Sequence, residues 1–152
     1  MPVTARPPAP PPAAASDQAL WSRVLAVHAQ VERSLAQALQ RRHGIGLSEY
    51  RALEDLARAD DGELRMQELA DRIGLGQSSV TRLVARLEAA GFAYKDHCPD
   101  DKRGVYAVVT DAGRERHAAA RATYAEVLGT ALNTVAADPR LTATVQALRT
   151  SG

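Results

Sequence analysis

From Leu64 to Thr110 the chain carries, in order, two short helical segments, a Gly74-Leu75-Gly76 turn between them, and two strand-like runs flanking a long polar loop. That order fits a winged helix-turn-helix. In such a unit the second helix can enter a DNA groove, and the hairpin tip can touch the neighbouring backbone or minor groove. The fold class expected is mainly α with a small β-hairpin wing: a winged helix-turn-helix joined to a helical dimerisation region.

The rest of the chain divides around this unit. Residues 1–15 are rich in Pro and Ala; such a run favours extended polyproline II, builds no core, and reads as a disordered arm. Residues 16–46 and 111–152 are expected to form the dimerisation region, and 47–110 the DNA-binding lobe. Ser16 or Asp17 would cap a first helix running to about His43. Leu20, Val24, Val27, Val31, Leu35 and Leu39 recur along it at spacings of three and four. Ser48 would cap the second helix, with Tyr50, Leu53 and Leu56 on one side. Glu68 to Ile73 is the third helix, with Arg65 standing poorly as its cap, and Gln77 to Ala90 is the fourth. Phe92 to Lys95 and Val105 to Thr110 are strand-like. A fifth helix, capped by Thr110 or Asp111, reaches about Val135. Pro139 would open a last helix at a favoured first position, with Leu141, Val145 and Leu148 on one side.

The fourth helix has the most chemistry. Val80, Leu83, Val84 and Leu87 follow an i, i+3, i+4, i+7 pattern and must face the core. Gln77, Ser78, Thr81, Arg82, Ala85 and Arg86 are then outward or lateral, and Ser79 joins the polar residues among them as a candidate DNA contact. An amide, hydroxyls and guanidinium groups suit a major-groove helix: Gln pairs with adenine, Arg with guanine, Ser and Thr with bases or phosphate. The bland alternative is a solvated helix face. The turn before this helix and the hairpin after it weigh against that alternative. In the hairpin, the nine residues from Asp96 to Gly104 exceed the usual loop of roughly two to five. Lys102 and Arg103 lie near its end, where arginine can enter a narrow minor groove. Asp101 could orient Arg103 by a charge-assisted hydrogen bond.

Nineteen basic and 18 acidic side chains leave the chain nearly neutral. This argues against bulk electrostatic binding but not against a local basic contact surface. Cys98 is the single cysteine, so no intrachain disulfide can form and a reducing cytoplasm is the plain expectation. No apolar run approaches the roughly 18 residues of a membrane span. The apolar stripes on the first and last helices are longer than a small winged domain can cover. An uncovered stripe marks an association surface, here a homodimer. A two-fold dimer would read a pseudo-palindromic operator in double-stranded DNA, with half-sites about one helical turn, roughly 10 bp, apart.

Leu69-Ala70, Ser79-Val80-Thr81-Arg82-Leu83-Val84, Leu87-Glu88, Gly91, Asp101-Lys102-Arg103 and Thr110-Asp111-Ala112-Gly113 appear in this order and spacing. With Leu47-Ser48, Tyr50 and Leu53 upstream, this set resembles the MarR family of transcriptional regulators over nearly the whole chain after Ala15. The resemblance implies an obligate homodimer built on the first, fifth and sixth helices. It also implies a fourth helix in the major groove, Arg103 in the minor groove, and a small-molecule pocket between the dimer helices and the lobe. Two departures stand out. Gly76 replaces the usual Ser ahead of the recognition helix, and Asp96 and Asp100 lower the wing's positive charge.

Trp21, His28 and Tyr50 could line an effector pocket or be ordinary packing; both readings stand. His97-Cys98 with Asp100 and Asp101 is a weak metal set, because adjacent residues rarely converge on one ion. Cys98 as an oxidation sensor is less favoured than an incidental thiol. No nucleophile–base set or phosphate loop is visible, so neither an enzyme nor a cofactor is expected. The resulting expectation is a homodimeric DNA-binding transcriptional regulator, most often a repressor in that family, which a small ligand could relieve. The rival is a winged-helix module that binds protein and not DNA. Its support is the near-neutral charge and the acidic wing.

Overall fold

A computed structural model describes residues 13–97 and 104–152, with side chains from Ser16 onward. The element order is α1 (Ala13–His43), α2 (Leu47–Arg58), a 3-10 turn (Asp60–Gly62), β1 (Glu63–Arg65), α3 (Met66–Ile73), α4 (Gln77–Ala89), β2 (Ala93–His97), β3 (Val105–Val109), α5 (Asp111–Ala136) and α6 (Thr142–Thr150). The mainly helical fold with a winged helix-turn-helix is as expected. Most of the Pro/Ala arm, residues 1–12, lies outside the described residues.

Several local expectations are corrected. α1 begins at Ala13, ahead of Ser16 and Asp17; a run of alanines, the best helix formers, extends it. Gly46, not Ser48, caps α2. There the carboxylate of Glu49 reaches back to accept the Gly46 N–H at 3.1 Å, one half of a capping box. α6 starts at Thr142, after a turn that contains Pro139. The Thr142 hydroxyl donates to the carbonyls of Ala136 and, at 3.1 Å, Asp138, so side-chain bonding holds this corner in a turn. Leu148 does not join Val145 in the core but is exposed.

The sheet has three antiparallel strands in the order β1-β3-β2. β1 was not expected. Its three residues are too short to show a period, and it exists because Leu64 pairs with Ala107 on β3. β2 pairs with β3 from Ala93↔Val109 to His97↔Val105.

Two apolar clusters hold the fold. The larger lies under α2, α3, α4 and the sheet, and includes Tyr50, Leu53, Leu56, Leu69, Leu83 and Leu87. Leu39, Ile45 and Ala120 also belong to it, so α1 and α5 share a core with the lobe across the expected boundaries at 47 and 110. The smaller cluster joins α1 to α5 through Val31, Leu35 and Ala131, with Val27, Val127, Leu128 and Leu132 packed around them.

The junction of wing and α5 explains the Thr-Asp-Ala-Gly run. The Thr110 hydroxyl accepts the Gly113 N–H at 3.1 Å and donates to the Gly91 carbonyl at 2.6 Å. A Cβ on Gly113 would stand 2.1 Å from the Phe92 carbonyl oxygen. Only glycine lets the helix approach the start of β2 so closely.

Candidate nucleic-acid interface

α3 ends at Gly74, whose φ of 70° is left-handed, a conformation glycine adopts without the Cβ penalty. The chain then turns through Leu75, whose N–H donates to Ala70 at 3.0 Å. Gly76 caps α4 in extended conformation and has no side chain to bond the free N–H groups of the first turn. No acidic residue stands in that turn. The helix therefore opens with uncompensated donors and a favourable dipole for an anion.

Val80, Leu83, Val84 and Leu87 of α4 are all buried in the lobe core. Gln77, Ser78, Thr81, Arg82 and Ala85 are exposed, and Ser79 is half-buried. Arg82 makes no hydrogen bond or ion pair among the described residues, so its guanidinium is available. The Thr81 hydroxyl donates to the Gln77 carbonyl at 2.9 Å. Its hydrogen is thus engaged, and it presents a methyl group and lone pairs, suited to a thymine methyl or a base amine. Alanines at 85 and 89 continue the exposed side, so nothing bulky blocks close approach of the helix.

Arg86 is placed differently from Arg82. Its Nε donates to Glu49 Oε1 at 3.1 Å, and the other oxygen of that carboxylate takes the Gly46 N–H. One side chain thereby ties the start of α2 to α4. Glu49 was missed in the sequence, because its partner lies 37 residues away. Lys102, Arg103, the orienting Asp101 and Cys98 lie outside the described residues. Lys95 and His97, not read as DNA contacts from the sequence, are exposed at the base of the wing. The signal that could have found them is strand alternation counted from the buried Ala93.

The three residues considered for an effector pocket have different surroundings. Tyr50 is buried and stacked on Tyr124, with ring centroids 4.6 Å apart. It borders a cavity of about 470 Å³ together with Glu54, Arg58, Arg121 and Tyr124. Trp21 and His28 are not among its walls: Trp21 is 61% exposed, and His28 lies 3.8 Å from Glu32 on the α1 surface. His117 packs against Tyr50 at 5.1 Å and has a buried Nε2 with no hydrogen-bond partner among the described residues. Burial lowers its pKa, since a charged ring there would be poorly solvated. Between α1 and α2, Arg51 holds Glu32 through two bonds of 2.8 and 2.5 Å. That hydrogen bonding holds the Glu32 carboxyl below its usual range.

Comparison with known proteins bears on this geometry. Residues 43–104 match the MarR family model. That stretch contains α2, the helix-turn-helix and the first wing strand. Residues 43–104 are thus similar to a MarR-family DNA-binding region. Over 73 residues the chain is 37% identical to the HTH-type transcriptional regulator YkoM of Bacillus subtilis, a match spanning 48% of this chain and 46% of that protein, about half its length. The MarR-family regulator Sco3205 of Streptomyces coelicolor, solved in complex with DNA, is 28% identical, covers 95% of this chain and 90% of its own, and superposes with a TM-score of 0.76. AbsC from the same organism, also a MarR-family regulator, is 25% identical over 88% of this chain and 89% of its own, with a TM-score of 0.73. The MarR likeness thus extends in three dimensions to the helices outside the matched segment. Among the described residues no helix is long and apolar enough to cross a membrane, and no group of three or more His, Cys, Asp or Glu could hold a metal ion.

Proposed function

We propose that this protein is a sequence-specific DNA-binding transcriptional regulator that acts as a homodimer and represses. The observation that carries the reading is the division of α4. Its aliphatic side is sealed in the core, while Ser78, Thr81 and Arg82 face solvent, the Arg82 guanidinium unpaired among the described residues. The MarR-family regulator that was solved with DNA and matches across nearly the whole chain supports it.

The dimer half of the reading rests on apolar exposure. Leu20, Trp21, Val24 and Leu25 on α1 and Leu148 on α6 are exposed in the single chain. A second copy would cover them. Trp21, the single tryptophan, reports on this directly: its emission should shift to the blue as protein concentration rises through the dimer equilibrium. The ligand half rests on the cavity beside Tyr50 and Tyr124. A small molecule that prefers a conformer with badly spaced recognition helices would lower operator affinity by population shift.

A salt titration with duplex DNA tests the main claim. A regulator loses affinity steeply with salt as phosphate contacts release counterions. A winged-helix protein-interaction module has no affinity to lose. Arg103→Ala should weaken binding with a shallower salt dependence; unchanged binding refutes its role at the wing tip.

A further inference from the structure

Strand alternation sorts the charges at the base of the wing. Ala93 of β2 points into the core and is buried. Lys95 and His97 follow at spacings of two on the same face, opposite Ala107 and Val105 of β3. The core ends after Ala93, so both side chains are exposed and overhang the start of α4. Tyr94 and Asp96 fall on the other face. The acidic character read from the loop sequence is therefore not shared evenly: at the wing base the Lys95 ammonium and the His97 ring turn toward α4 and the carboxylate of Asp96 turns away.

Below Lys95 and His97 is an open cleft of about 490 Å³, walled by Gln77 and Thr81 of α4, Gln67 at the start of α3, and Arg65. The Arg65 guanidinium lies 5.3 Å from the centre of the Tyr106 ring. Gln67 gives one amide hydrogen to Asp71 at 3.0 Å and has a second to offer. Gln77 is exposed and also carries an amide. Lys95 makes no ion pair among the described residues; its acidic neighbour is Glu88, across a shallow groove with Ala85 and Ala89. Among the described residues the cleft thus combines the Lys95 ammonium, an imidazole and two amides, with no carboxylate in its lining.

We propose that this cleft seats a backbone phosphate of the bound duplex, with Lys95 as its principal cation and His97, Gln67 and Gln77 as hydrogen-bond donors. The inference rests on the DNA reading above. It follows from position: the cleft flanks α4 on the wing side, where the strand bordering an occupied major groove must pass. A phosphate contact positions the protein but carries no sequence information. Lys95 should therefore act on all duplexes alike.

The test uses the full chain and a mixed-sequence duplex of about three helical turns, roughly 30 bp. Binding is followed by fluorescence anisotropy across a salt series for the wild type, Lys95→Gln and Lys95→Arg. Lys95→Gln should bind more weakly, and its slope of log affinity against log salt should be shallower by about 0.9 for each protomer engaged. Lys95→Arg should restore the slope, since the charge is kept. Thermal melts should coincide, because the side chain is exposed. If the wild type binds and Lys95→Gln keeps its slope, the cleft holds no phosphate and this inference falls alone. If the wild type does not bind duplex DNA at any salt, the regulator reading falls and this one with it.

Discussion

Removing the Arg82 guanidinium should damage discrimination between DNA sequences and leave the fold intact. Arg82 is exposed on α4 and unpaired among the described residues. Truncating such a side chain changes stability by no more than about 0.5 kcal/mol. A bidentate arginine–guanine pair is worth roughly 1–3 kcal/mol of discrimination. A two-fold dimer presents two copies of α4 to one duplex, so Arg82→Ala should remove roughly 2–6 kcal/mol of preference for the cognate site. The assay begins by selecting a preferred duplex from a random pool with the wild-type protein. Affinities of wild type and variant are then measured on that duplex and on a scrambled one at the same salt. The variant should lose most of its affinity for the selected duplex and little for the scrambled one. An equal loss on both would show that Arg82 touches backbone only, and the base-readout argument for this helix would fail.

Three further outcomes follow from the contacts around the interface. Glu49→Gln and Arg86→Ala should each weaken operator binding, and the double variant should be no worse than the more damaging single one, because both break the same bond; full additivity would mean that Arg86 acts on DNA independently. Gly113→Ala should destabilise the protein by about 1–3 kcal/mol or more, read from a chemical denaturation midpoint, since its methyl group would meet the Phe92 carbonyl oxygen; a midpoint at the wild-type value would contradict the packing of α5 on the wing. The lowered pKa of Glu32 means that its pairing with Arg51 stabilises the fold above the ordinary carboxylate pKa of 4.5 and is lost as pH falls through the lower folded value. The stability of Glu32→Gln should accordingly lie below the wild type near neutral pH and converge with it in acid, and a constant offset across that range would exclude the ion pair as the cause.

Much of this protein can be read from local pattern. The burial of Val80, Leu83, Val84 and Leu87 follows from a period of 3.6, and that burial alone puts Ser78 and Arg82 in solvent. Gly74 announces the turn because a left-handed residue is needed there. Periodicity is a property of neighbouring residues, so sequence suffices to determine which side of each helix is apolar. It failed where elements are short or their ends are set by side chains: β1 has no period to show, and the start of α2 depends on Glu49 reaching back to Gly46.

The tertiary structure decided what distant residues do to one another. Arg86 and Arg82 are alike in sequence, yet the fold gives one a carboxylate from α2 and leaves the other unpaired among the described residues. Tyr50, equally suited to a pocket wall or to packing, stacks on Tyr124 from α5 and borders a cavity as well. The wing looks acidic as a string of letters, but pairing to β3 fixes which side of β2 meets α4, and so turns Lys95 and His97 toward the cleft and Asp96 from it. Charge in the chain is a sum, while charge at a surface depends on direction, and direction exists only once the strands are paired.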